Sequence, residues 1–175
     1  LHTYEVKIKG ETPLLHHKFN GQEEEKKLKK LPDKEQAEAH LYKNAEGKAY
    51  VPAIWISQAL KNAYIEMAPK GQKTSYARYI SARLTVYPLE IILPVQKYVI
   101  DKRSAPSQIG KKACRDFCVR PRFDEWDLTF KVRTTLSLRE FKKILEFAGT
   151  DLGIGSGRKL GFGRFSVVEV KEIQA

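Results

Sequence analysis

Cysteine is scarce in this chain: Cys114 and Cys118 are the only two among 175 residues, too few for a disulfide framework. A zinc site would need further ligands, and the four histidines, His2, His16, His17 and His40, lie far from that pair in sequence. The two thiols are therefore expected on one face of a helical turn or hairpin, with no metal bound. Long apolar runs are missing too. No stretch reaches the roughly 18 residues of a spanning helix and no signal-peptide pattern precedes Tyr4, so a soluble, cytoplasmic protein with no membrane partner is expected. Acidic residues are in deficit, 21 Asp and Glu against 32 Lys and Arg, a formal charge of +11. A surface of that sign attracts polyanions, nucleic acid first.

What is present suffices for one domain: 42% of the residues are hydrophobic, enough to fill one core at this length. Tyr4, Val6 and Ile8 alternate with polar residues as a half-buried strand does, and Gly10 closes the run. From Gly21 to His40 charge dominates, Pro32 interrupts and apolar anchors are few, so a solvated or disordered insertion is expected. Pro52 then opens a helical pattern through Ile56, Ala59, Leu60, Ala63, Tyr64 and Met67. A basic connector with Lys73, Tyr76, Arg78, Tyr79 and Arg83 leads to a strand-like run in which Pro88 and Pro94 mark edges or bends.

Between Lys97 and Arg122 the cations Lys102, Arg103, Lys111, Lys112, Arg115, Arg120 and Arg122 are interleaved with Tyr98, Phe117 and the turn residues Pro106 and Gly110. This reads as a protruding basic hairpin. Trp126, Leu128, Phe130 and Val132 alternate as a strand. Ser137 with Glu140 forms a capping box for a helix with Leu138, Phe141, Ile144, Leu145 and Ala148 on its apolar stripe and Gly149 placed to end it. A last strand runs from Phe165 to Val170. Strand, helix, strand, strand, helix, strand is the ferredoxin-like (RRM-like) order, an α+β fold whose antiparallel sheet carries two helices on one face. Residues 1–175 are read as one such domain, with insertions at about 20–48 and 96–125.

The segment Gly153 to Phe165 holds five glycines (Gly153, Gly155, Gly157, Gly161, Gly163), Ser156 and the cations Arg158, Lys159 and Arg164. It follows a helix and precedes a strand, the reverse of a dinucleotide fingerprint, and Lys159 is followed by Leu160 and not by the hydroxyl residue of a Walker A loop. Positive-φ glycines expose backbone N–H groups, so a concave phosphate site beside the three cations is expected; the competing reading is a tight packing turn.

That segment, between the last helix and last strand of a ferredoxin-like unit, resembles the glycine-rich loop of the RAMP superfamily of CRISPR-associated RNA-binding proteins. Members process CRISPR RNA or coat it as effector-complex subunits; the tandem-domain processing nucleases are generally longer than this chain. The basic excursion is similar to the thumb hairpins of backbone-type subunits, and a phage or mobile-element relative with the same fold fits equally. The resemblance implies single-stranded RNA or DNA as partner, with other ribonucleoprotein subunits or further copies of the chain, and no cofactor.

A metal-independent ribonuclease would need a histidine to activate the 2′-hydroxyl and a second group as acid. Only His16 and His17, just after the first strand, are candidates. Neighbours in an extended segment point to opposite sides, so the two do not work as a pair. Three readings stand: a non-catalytic RNA-binding subunit, an endoribonuclease using His16 or His17, and a structural or adaptor protein of a virus or mobile element.

Overall fold

Tyr4, Val6 and Ile8 all point to one side of β1 (His2–Gly10), and their burial fixes which face of the sheet is the core. The computed structural model describes residues 1–109 and 112–174. After β1 come β2 (Leu14–Leu15), α1 (Gln22–Leu28), α2 (Asp33–Ala39), β3 (Tyr50–Pro52), α3 (Ala53–Glu66), α4 (Lys73–Ile80) and β4 (Leu84–Tyr87). The chain continues through β5 (Glu90–Ile92), β6 (Val99–Ile109), β7 (Lys112–Phe123), β8 (Asp127–Thr134), α5 (Leu138–Phe147) and β9 (Phe165–Ile173).

Four strands pair in the order β4-β8-β1-β9, every neighbour antiparallel. Counted with α3 and α5, this is a ferredoxin-like βαββαβ unit, its first and third strands central and its second and fourth at the edges. The helices cover one face. Ile56, Ala59, Leu60 and Ala63 of α3 and Phe141, Ile144 and Leu145 of α5 pack on Tyr4, Val6, Leu128, Phe130 and Val132. Ser137 caps α5 as its sequence requires, its hydroxyl accepting from the Glu140 amide while its own amide donates to the Glu140 carboxylate.

The opposite face of the sheet is polar. Register places Glu5, Lys7, Lys131, Arg133, Glu169 and Lys171 there, with the edge residue Tyr87 opposite Lys131 as the aromatic contribution. Lys7 and Lys171 both pair with Glu169.

Three sequence expectations are corrected. The charged segment after Gly21 is ordered as α1 and α2. They rest on the β6-β7 hairpin through polar anchors, including Lys102 to Asp33 (3.2 Å), Tyr98 to Glu38 (2.6 Å) and Lys29 to Asp116. The basic connector is the helix α4, held to α3 by Tyr64 against Tyr76 and Tyr79, with ring centroids 4.9 and 5.9 Å apart. The run around Pro88 bends there as expected, with the edge strand β4 in the main sheet before the bend and β5 turning away after it to pair with β3. Gly149 does not end α5, since a π-helical turn (Ala148–Leu152) continues the chain to Gly153. It is glycine because a Cβ there would lie 2.2 Å from the Phe165 carbonyl oxygen.

Candidate nucleic-acid interface

The segment leaving β1 is clamped on two sides, and this builds the site. The Thr12 hydroxyl donates to the Gly161 carbonyl (2.7 Å) and accepts from the Arg164 amide (2.9 Å), while the Gly163 amide donates to the Pro13 carbonyl (2.9 Å). Trp126 Nε1 donates to the Thr12 carbonyl (2.8 Å). Leu14 and Leu15 pair on one side with Phe123 and Arg122 of β7, and on the other Leu15 accepts from the Ser156 amide (2.9 Å). The glycine loop and the base of the basic hairpin therefore flank one short stretch, from which His16 and His17 emerge.

All five loop glycines have positive φ. Two are required by close approach. A Cβ on Gly163 would sit 1.8 Å from the Ile154 carbonyl oxygen, and one on Gly155 2.8 Å from Leu14 Cδ1 and the Leu15 carbonyl oxygen. Gly157 and Gly161 flank a single 3-10 turn, Arg158–Leu160, and all three of its side chains are exposed. The loop is both a packing turn and a display of charge.

The expected cradle of backbone N–H groups is narrower than the sequence suggested. The amides of Gly153, Ile154, Ser156, Leu160, Gly161, Gly163 and Arg164 already donate to protein acceptors. Arg164 is turned inward, Nη2 donating to the Arg158 carbonyl at 3.3 Å, and its Nη1 is buried without a partner. The free charge is on Arg158 and Lys159, which have no carboxylate partner among the described residues.

Beside them lies an open groove of about 500 Å³ lined by Gly155, Ser156, Gly157, Arg158, Lys159, His17, Tyr42 and Trp55. Tyr42 and Trp55 meet edge to face, centroids 5.2 Å apart. Neither aromatic was singled out in sequence. Trp55 occupies the first turn of α3 away from the stripe formed by Ile56, Ala59, Leu60 and Ala63, and a half-exposed tryptophan there is the signal that could have found it. His16 is fully buried against Tyr42, Trp55 and Phe123, accepts from the Tyr42 amide, and has its pKa lowered to about 3 by burial. That removes it as a surface base. His17 is half-buried and borders the groove; burial first, then the charges of His40 and Arg120, lower its pKa.

The hairpin cations divide by face. Register sets Arg103, Arg120 and Arg122 on one face with Asp101, and Lys102 and Arg115 on the other. Asp101 is 3% exposed and gathers all three arginines: Arg103 binds it through two nitrogens, Arg122 Nη1 is 3.5 Å away and Arg120 Nη2 3.7 Å. Burial opposes its charge, but the Arg103 hydrogen bond and the three guanidinium charges hold its carboxyl below the usual range. Arg103 also lies over the Phe162 ring at 4.7 Å, and Arg120 Nη1 donates to Ser156 Oγ at 2.9 Å. Lys102 is committed to Asp33, whereas Arg115 is exposed. Lys112 begins β7, and Lys111 lies outside the described residues.

Long-range folding also assembles donors that their sequence separation hid. His17, Glu25 and His40 converge, and Cys118 Sγ is 3.6 Å from His17 Nδ1. Cys114 and Cys118 both lie in the hairpin strand β7, and burial raises the Cys118 thiol pKa.

The fold has a counterpart among solved structures. A chain of the type III-B Cmr-beta structure bound to cognate target RNA superposes with a TM-score of 0.63 at 11% identity, over 99% of this chain and 61% of that one. The chain shares its fold with a protein of a type III-B Cmr assembly. It spans 61% of that counterpart's length. Cmr6 from Pyrococcus furiosus is also similar, at a TM-score of 0.49 and 13% identity over 96% of this chain and 98% of that one. No family model and no curated sequence matches the chain. No helix among the described residues is long and apolar enough to cross a membrane.

Proposed function

We propose that this chain is a non-catalytic RNA-binding subunit of a CRISPR-like ribonucleoprotein, holding single-stranded RNA by its backbone in the groove beside Gly155–Lys159. The observation that carries the reading is the pairing of chemistries in that groove. Arg158 and Lys159 offer exposed positive charge, unpaired among the described residues, to phosphates, and Trp55 and Tyr42 offer ring surface to bases. The polar face of the sheet supplies no comparable platform, because its aromatic is the single edge residue Tyr87 and two of its cations, Lys7 and Lys171, are paired with Glu169, which leaves Lys131 and Arg133 without a second ring beside them. Such a grip is indifferent to sequence, since it touches backbone and ring faces and not base edges. The fold counterpart belongs to a structure bound to cognate target RNA, which supports RNA over DNA as the natural ligand and other subunits as neighbours on it; further copies of this chain are the alternative neighbours.

Titration of labelled single-stranded RNA between roughly 50 and 200 mM salt tests the proposal, because phosphate-led affinity falls steeply over that range. Matched single-stranded DNA reports the role of the 2′-hydroxyl. Salt-independent binding, or none, contradicts the reading. A second reading, metal-independent cleavage, is favoured by one observation: His17 borders the groove. Product analysis of bound RNA decides between the two.

A further inference from the structure

α1 and α2 are seven residues each and bring few apolar side chains to their contact with the hairpin: Leu28 and Ala37 are buried, and Leu31 is 39% exposed. Helices this short do not persist in water unless something else holds them. Where they meet β7 there is a cavity of about 330 Å³, and four donor side chains line it. Ligand atoms of His17, Glu25 and His40 lie within 4.8 Å of one another, and His40 Nε2 is 3.0 Å from Glu25 Oε2. Cys118 Sγ lies 3.6 Å from His17 Nδ1 at the edge of this group.

The side chains are oriented from behind. His40 is bonded through Nδ1 to the Val119 carbonyl at 2.7 Å, which makes Nδ1 the donor and leaves Nε2 as the nitrogen facing the cluster. Glu25 Oε1 accepts from the backbone and side-chain nitrogens of Asn20, at 3.2 and 3.3 Å, which leaves Oε2 for the cluster. Asn20 is itself tied to the Ala39 carbonyl at 3.0 Å. Something positive must sit between an imidazole nitrogen and a carboxylate oxygen held this way. A proton would satisfy His40 and Glu25 alone, but it leaves unexplained why a second imidazole joins them with a thiol against its Nδ1.

We propose that His17, Glu25, His40 and Cys118 bind one zinc ion, which staples α1 and α2 to β7 and to the segment entering the groove. Two nitrogens, one oxygen and one sulfur form a donor set suited to zinc and unsuited to magnesium or calcium. Bonds of about 2.3 Å to sulfur and about 2.0–2.1 Å to nitrogen, set tetrahedrally, put those two donors roughly 3.5 Å apart; the Cys118–His17 separation is 3.6 Å. His17, Glu25 and His40 already bring ligand atoms within 4.8 Å of one another, and Cys118 closes on them from the His17 side when the ion binds. Four protein ligands complete a structural site, and its binding free energy is then available to fold an insertion that is short of apolar contacts. This site stands independently of the RNA reading.

The test uses the full, untagged chain without RNA. Zinc is titrated against a chromophoric chelator, and unfolding is followed with added zinc and with excess chelator. About one tightly held zinc per chain and a melting midpoint lowered by chelation are expected. Cobalt in place of zinc should give tetrahedral visible bands with a thiolate charge-transfer band, lost in Cys118→Ser and kept in Cys114→Ser. Glu25→Gln should weaken zinc at least tenfold; if that variant does not fold, wild-type stoichiometry and the two cobalt spectra decide. A wild-type chain that takes up no zinc, zinc binding unchanged in both Glu25→Gln and Cys118→Ser, or a cobalt spectrum without the thiolate band overturns the proposal.

Discussion

Arg120 and Ser156 are 36 residues apart in sequence and joined by a 2.9 Å hydrogen bond from guanidinium to hydroxyl. Through this bond the hairpin and the glycine loop form one wall. Arg120 in turn depends on Asp101, so the position of the loop is linked to a buried carboxylate on the hairpin.

Asp101→Asn is expected to destabilise the fold by about 2–4 kcal/mol, because it leaves neighbouring arginine charges without their counter-charge. The pH dependence follows from the sign of the shift. The Asp101 carboxyl is held below its unfolded value, so its contribution is present above that value, about 3.9, and is lost as pH falls through the lower folded pKa. The stability gap between wild type and variant in denaturant melts should therefore be constant from pH 7 to about pH 5 and start to narrow as pH falls below about 4.

Arg158→Ala with Lys159→Ala should remove about two phosphate contacts and reduce the salt slope for single-stranded RNA by roughly 1.4, with little change in thermal midpoint. Lys26→Ala with Lys27→Ala is the control. Those lysines are exposed and paired with Glu23 and Glu24 on α1, and they carry the same change in net charge. Equal losses from the two pairs would mean that only net charge matters.

Replacing Trp55 by leucine keeps apolar bulk over His16 and removes the ring. A loss of about 1–3 kcal/mol in RNA affinity is expected for one base stack, roughly 5- to 150-fold, with an unchanged salt slope. Isothermal titration at two salt concentrations separates this from the charge effect.

The loop glycines should separate by packing. Gly163→Ala forces a Cβ into the Ile154 backbone and is expected to cost more than about 2 kcal/mol or prevent folding. Gly161 has open space around its missing Cβ, so Gly161→Ala should cost only the strain of its positive φ, about 1 kcal/mol. Thermal unfolding of the two variants measures the difference.

The central unit was legible because its signals are local. The alternation Tyr4-Val6-Ile8, the alternation Leu128-Phe130-Val132, the α3 stripe and the Ser137–Glu140 box each fit within a few turns or one strand. The insertion was misread because α1 and α2 are held by partners far along the chain, among them Asp116 and Lys102, which no local window contains. For the site, sequence reading named the loop cations. It did not separate the exposed Arg158 and Lys159 from the inward Arg164, or the exposed Arg115 from Lys102 neutralised by Asp33. Nor could it assemble His17, Glu25, His40 and Cys118, or bring Trp55 and Tyr42 to the loop, because those meetings depend on how β2 is wedged between loop and hairpin.

The most direct test of where RNA lies is photocrosslinking. Wild-type chain is irradiated with single-stranded RNA carrying 4-thiouridine at every uridine, and the crosslinked peptides are sequenced by mass spectrometry. Crosslinks at Tyr42, Trp55 and the peptide spanning Gly155–Lys159 are expected, with loss of the loop crosslinks in the Arg158→Ala, Lys159→Ala double variant. Crosslinks confined to β1, β4 and β8 on the polar face of the sheet, around Lys7, Tyr87 and Lys131, would contradict the account.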